Sequence, residues 1–313
     1  METSYRLSQG ETAALTRRIT ALSVATAAVL AGLKGAVWLA SGSVSILAST
    51  ADSGLDLLAA LFTFFAVRYA AAPPDKEHRF GHGKAEAFAS LLQAGLVFAS
   101  AALIGEEAIR HLFRPQPLAR SAWAIGVMVA STTLTGLLVY AQTRVLNRAR
   151  SVAVTGDRAH YAADLASNIA ALAAIAATAV TGIASFDAVG GLAVAAVLLW
   201  GAVGVFRKAS NELLDRELSD TARARIVQLM TEDPRLTGVH QLRTRASGPI
   251  VHIQMHADID PELALETVHE VMVEAEKRVL TEFPAADIII HPDPRGRAEP
   301  HGGAFPEAPD AEA

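Results

Sequence analysis

Six stretches of this 313-residue chain are long and apolar enough to cross a bilayer, which takes about 20 mostly apolar residues. They cover residues 19–39, 43–67, 87–105, 121–143, 152–186 and 188–206. The first holds Lys34, the second Asp52 and Asp56, and the fifth His160 and Asp164; the third and fourth carry no charge. Alanine, glycine and small hydroxyl residues recur in all six, as expected where helices must approach closely in lipid with no hydrophobic force between them. Six runs of this kind leave too little amphipathic surface for a soluble helical protein. The first 18 residues are polar and the apolar run behind them is too long for a cleaved signal peptide.

Composition narrows the class further. Half of the residues are hydrophobic (51%) and 19% are charged. The absence of cysteine excludes a disulfide scaffold, thiolate metal ligands and a thiol nucleophile. A net charge of −5 argues against nucleic-acid partners, which call for a basic patch. Lys and Arg set the orientation: thirteen flank the ends of the spans on the side of the termini, against Arg110, Arg114 and Arg120 on the other. Both termini are therefore expected in the cytoplasm, with lipid around a six-helix domain at 17–210 behind a short N-terminal segment at 1–16.

From residue 211 the pattern becomes that of a soluble domain. A helix is expected at 220–232, strands at 239–245 and 250–258, a helix at 261–282 and a strand at 287–291, giving the order αββαβ of a ferredoxin-like, metallochaperone-like α+β fold over 211–295. About 80 residues make a marginal domain alone, so docking on a second copy is expected. Residues 296–313 are rich in Pro, Gly, Ala and Glu and are expected to be disordered.

The chemistry lies in the charged groups within the spans. Asp52 and Asp56, and likewise His160 and Asp164, are four residues apart and share a helix face. An acid at the centre of a membrane helix costs about 2.5–3.5 kcal/mol on insertion scales. Three acids cannot neutralise one another, and Lys34 is the nearby cation, able to snorkel or pair. A divalent ion resolves the imbalance: Asp52, Asp56, His160 and Asp164 offer four N/O ligands, the set that suits tetrahedral Zn²⁺, while Ca²⁺ would not favour the histidine. Metal needs the imidazole neutral and the acids ionised, so protons compete at His160, Asp52 and Asp164, and cation–proton exchange follows in a bundle that alternates its access.

Two further groups are metal candidates. The loop after the second span places Asp75, His78 and His82 within eight residues, His78 and His82 lying either a helical turn apart or around a glycine turn at Gly81. The tail holds His240, His252, His256, His269 and His291, with Asp293 two residues on, and reads as a binuclear site at converging strand ends; His252 is set aside as a bystander. A membrane metal sensor or scaffold working through these tail histidines is the alternative to transport. An intramembrane hydrolase is disfavoured, because His269-Glu270 lacks a second histidine at HExxH spacing.

The segments 41–56, 80–89, 157–164, 213–218, 242–249 and 288–294 resemble the cation diffusion facilitators, in particular their bacterial zinc and ferrous-iron efflux branch, and the resemblance extends over about residues 15–295. It implies a homodimeric metal/proton antiporter in the bacterial inner membrane, not an enzyme. Zn²⁺ is implied as substrate, with Cd²⁺ and Fe²⁺, and as a structural or regulatory ion of the tail; no organic cofactor is implied. The transport site corresponds to Asp52, Asp56, His160 and Asp164, the loop site to Asp75, His78 and His82, and the tail site to His240, His256, His269, His291 and Asp293. A charge interlock between membrane and tail domains corresponds to Lys84 and Asp215. Asp52 resembles members that accept Cd²⁺, and Pro292 departs from the polar residue common in relatives.

Overall fold

The computed structural model describes residues 7–41, 44–113, 122–181 and 185–297. Arg114 and Arg120, counted on the far side, and nearly all of the tail at 296–313 lie outside the described residues. The chain divides into a helical unit, 13–147 with 151–210, and a second unit built mainly from residues 211 onward.

The helical unit contains α1 (Gln9–Ser41), α2 (Val44–Ala70), α3 (Ala85–Phe113), α4 (Ala122–Leu146), α5 (Val152–Thr181) and α6 (Ser185–Leu213). Among the described residues four segments meet the length and apolarity of a membrane span: Gln9–Ala40, Ser49–Ala70, Ala85–Phe113 and Ala188–Leu213. All the helices but α5 outrun, at one end or both, the apolar runs that announced them; α5 starts with its run at Val152, and the expected fifth run to 186 overlaps the start of α6 at Ser185. Helix α1 begins ten residues before residue 19, and α3 continues eight residues past Gly105 through Glu106, Glu107, Arg110 and His111. Once nucleated, a helix adds a hydrogen bond with each residue, so it does not stop where hydrophobicity stops.

Small residues set the packing. Helix α5 lies against α2, α3 and α4, with Val97, Ala101, Ala163, Leu198 and Ala202 forming one buried cluster. A Cβ on Gly156 would sit 2.8 Å from Ser90 Oγ and 3.0 Å from Ser90 Cα, so that glycine allows α5 to meet α3. Ser151 caps α5 through the Val154 amide at 3.1 Å, and buried Glu86 accepts from the Ser151 hydroxyl at 2.6 Å, placing a carboxylate at the positive end of that helix. Large apolar side chains such as Leu55, Phe65 and Trp200 point outward, the arrangement a lipid environment favours.

The second unit follows the expected order: α7 (Asp220–Met230), β1 (Leu236–Ser247), β2 (Ile250–Ile259), α8 (Leu265–Glu282) and β3 (Ala286–Pro294). The sheet order is β1-β2-β3, with β1 and β2 antiparallel and β2 and β3 parallel across α8. Gly248, at φ 57°, makes the tight turn between β1 and β2. Alternate residues Val251, Ile253, Met255 and Ala257 face Ile226, Met230, Val271 and Val279 in one core. Ser219 caps α7 by accepting from the Ala222 amide, and Arg278 donates to Leu229 and Met230 carbonyls at its other end.

Candidate metal centres

Among the described residues three groups of ligating side chains converge, each with its ligand atoms within 4.8 Å of one another. The first joins α2 to α5. His160 Nε2 lies 3.1 Å from Asp56 Oδ1 and 3.7 Å from Asp164 Oδ2. His160 is buried, both acids are half-buried, and His160 Nδ1 has no hydrogen-bond partner among the described residues. Asp52 stands one turn before Asp56 but is exposed and outside this cluster. Lys34 donates to Ser53 Oγ at 2.7 Å, on the turn between the two aspartates, so its charge is held on α2.

Directly beneath lies a polar node that the sequence reading missed. The fully buried Asp157 carboxylate accepts from Ser23 (2.7 Å, α1), Gln93 (3.2 Å, α3) and Gln142 (2.8 Å, α4). Gln93 also donates to Thr63 of α2 at 2.9 Å, so all of the first five helices meet here. Asp157, His160 and Asp164 are spaced three and four apart, a signal that was available. These hydrogen bonds satisfy a buried acid without a metal, unlike the group one turn above.

The second group is in the α2–α3 loop. His78 Nδ1 and His82 Nε2 each lie 3.2 Å from a different oxygen of Asp75. Of the two arrangements left open, the glycine turn is the one adopted: Gly81 has φ 80° and its amide donates to the His78 carbonyl at 2.9 Å. The His78 amide, donating to Asp75, holds that carboxyl below its ordinary range, with the Glu77 amide and the His78 imidazole acting the same way against desolvation. His82 is buried, and neither ring nitrogen has a hydrogen-bond partner among the described residues. A buried imidazole whose Nε2 faces a carboxylate oxygen at 3.2 Å fits a metal ligand.

The third group is built by sheet register. His240, His256 and His291 occupy one row across β1, β2 and β3. A bulge at Gln241, with φ 49°, follows His240 on β1, where two residues of β1 oppose one of β2. Asp293 is buried and lies 2.8 Å from His256 and 3.3 Å from His240, and these three form the convergent set; His291 lies 3.3 Å from Asp293 but its side chain is more exposed and stands outside that set. His240 Nε2 is buried with no hydrogen-bond partner among the described residues, and the donor set, imidazoles around one carboxylate, fits Zn²⁺. A Cβ on Gly238 would meet Asp258 Oδ2 at 2.7 Å, so this glycine leaves room for a second carboxylate 3.7 Å from His240. His269 is exposed on α8 and outside the cluster. His252, set aside in the sequence, is buried and lies 3.0 Å from Asp287, a pairing fixed by a parallel register no local pattern reveals. Asp215 of the expected interlock pairs with Arg245 at 3.1 Å.

A family model described as the cation efflux transmembrane domain matches residues 20–214, and one described as the cation efflux protein cytoplasmic domain matches 218–295. The cation-efflux pump FieF of Serratia proteamaculans is 38% identical over 272 residues, covering 87% of this chain and 90% of that protein. The FieF pump of Shewanella oneidensis is 39% identical over 272 residues, covering 87% and 92%. Among solved structures, the metal-bound C-terminal domain of the CzcD transporter from Thermotoga maritima is 24% identical and covers 26% of this chain and 100% of that one, with a TM-score of 0.25.

Proposed function

Since the chain belongs to the cation diffusion facilitator family, we propose that it exports Zn²⁺, together with Cd²⁺ and Fe²⁺, from the cytoplasm in exchange for protons. The observation that carries this reading is the meeting of Asp56, His160 and Asp164 from two helices inside an apolar bundle. Asp52, one turn from Asp56, is assigned as the fourth ligand, brought in by a small rotation of α2. Protons and metal compete for the same atoms, because the ion is held when the acids are ionised and His160 is neutral. The remaining parts of the assignment are six spans, 17–210, with both termini cytoplasmic in a bacterial inner membrane, and a homodimer closed through the tail, 211–295, and a Lys84–Asp215 interlock.

In the tail, His240, His256, His291 and Asp293 would hold Zn²⁺ as a structural or regulatory ion, with the exposed His269 joining from a second copy. Asp75, His78 and His82 are assigned to a loop site. The tail cluster also supports a second reading, a metal sensor that does not transport. Zinc uptake by inside-out proteoliposomes with a pH-sensitive dye separates the two. Transport reads out as zinc entry coupled to proton exit, lost in His160→Ala and Asp164→Asn. Normal uptake in both variants would refute the assignment, and loss of function only on deleting 211–313 would favour the sensor.

A further inference from the structure

Beyond the transport site, the helical unit contains a cleft of about 200 Å³ between α3, α5 and α6, lined by Glu107, His111, Ser167 and Gly191 among others. Glu107 and His111 are four residues apart on the last turns of α3, and His111 Nε2 lies 3.2 Å from Glu107 Oε1. This repeats the imidazole–carboxylate pairing at helical spacing of His160 and Asp164, on a different helix. Arg110 is the nearby cation; its guanidinium is 2.6 Å from Glu106 and 3.8 Å from Glu107, so its closer partner is the neighbouring acid. The cleft wall depends on small residues: a Cβ on Gly191 would meet Ala108 Cβ at 2.9 Å.

Position gives the pair its meaning. Helix α3 starts beside the α2–α3 loop, and Glu107 lies some 30 Å along it, at the far end of the bundle. Ser167, on the cleft wall, is one turn past Asp164 on the same face of α5, and about 10 Å from His160 along the axis. We propose that Glu107 and His111 form a second, weaker divalent-cation site at the end of the bundle away from the α2–α3 loop, where an ion leaving Asp56, His160 and Asp164 is next bound. This inference rests on the transport reading. Two protein ligands leave the remaining coordination positions to water, which suits an ion in transit more than one held in a closed four-ligand site. One imidazole nitrogen and one carboxylate oxygen select Zn²⁺-like ions over Mg²⁺ or Ca²⁺.

The test uses the full chain in detergent with Zn²⁺ as the probe. Modification of His111 by diethyl pyrocarbonate is followed by mass spectrometry of its peptide. Zinc at about five times the dissociation constant should slow modification of His111 about 6-fold by mass action. The same slowing is expected in Asp164→Asn and none in Glu107→Gln, a substitution that keeps the side chain's shape. A rate of His111 modification unaffected by zinc in the parent, or slowed equally in Glu107→Gln, overturns the proposal. Normal zinc transport by Asp164→Asn would instead refute the transport reading, with the His111 measurement standing on its own.

Discussion

Asp293 offers the sharpest quantitative test of the tail. It is 6% exposed and stands within 3.3 Å of His240, His256 and His291, so it is the one anion shared by all three imidazoles. A ligand that binds the folded state alone stabilises it by RT ln(1 + [L]/Kd), about 2.7 kcal/mol at one hundred times Kd. Amides of β2 and β3 that exchange by opening of the domain should then exchange about 100-fold more slowly with zinc than without it. Losing even an indirect support of a metal ligand costs about 10–100-fold in affinity, so loss of Asp293 itself should cost at least about 100-fold. At the same zinc concentration Asp293→Ala would then sit no higher than its own Kd, and the slowing would shrink to about 2-fold. Hydrogen exchange of peptides covering 250–259 and 286–294 in the intact protein reads both numbers. A 100-fold slowing that persists in Asp293→Ala would refute the assignment of this carboxylate as the shared ligand.

Three other outcomes are expected. Gly156→Val should destabilise the helical unit by about 1–3 kcal/mol through overpacking against Ser90, seen as a lower melting temperature in detergent; an unchanged melt would contradict the close approach. Hydrogen bonds from the Arg235 side chain hold Asp233 at a pKa of about 2, below an unfolded value of about 3.9. The pair's contribution should therefore be complete above about pH 4 and fade as pH falls through about 2, and it is small because Arg235 is half exposed and solvent screens it. Asp233→Asn should abolish that segment of the acid-unfolding curve, and an identical curve would rule the pair out. His82→Ala should lower the zinc bound per chain by one in equilibrium dialysis, and an unchanged stoichiometry would remove the loop from the metal sites.

The order of elements was legible because each rests on local signals. Alternation along 250–258 marks β2, and the αββαβ order emerged with strand ends shifted by up to three residues, since register and capping set ends more than hydrophobicity does. The pairing of His160 with Asp164 was legible because helical spacing turns a short sequence interval into a face; that this face meets Asp56 is set by the packing of α5 on α2. Asp52 shows the limit of that logic: spacing puts it on the same stripe as Asp56, but the rotation of α2 leaves it exposed. Contacts that join distant segments were hidden. His252 meets Asp287 through parallel pairing across α8, and the Asp157 carboxylate gathers donors from residues 23, 93 and 142. Glu107 and His111 were missed because the third apolar run ends at Gly105 whereas the helix does not.

The most direct measurement of the central claim is anomalous diffraction at the zinc edge from the intact protein crystallised with Zn²⁺. The account predicts a peak among Asp56, His160 and Asp164, joined by Asp52, with ligand atoms at about 2.0–2.2 Å. Clear density for these four side chains turned apart, with the metal peaks confined to the loop and the tail, would contradict it.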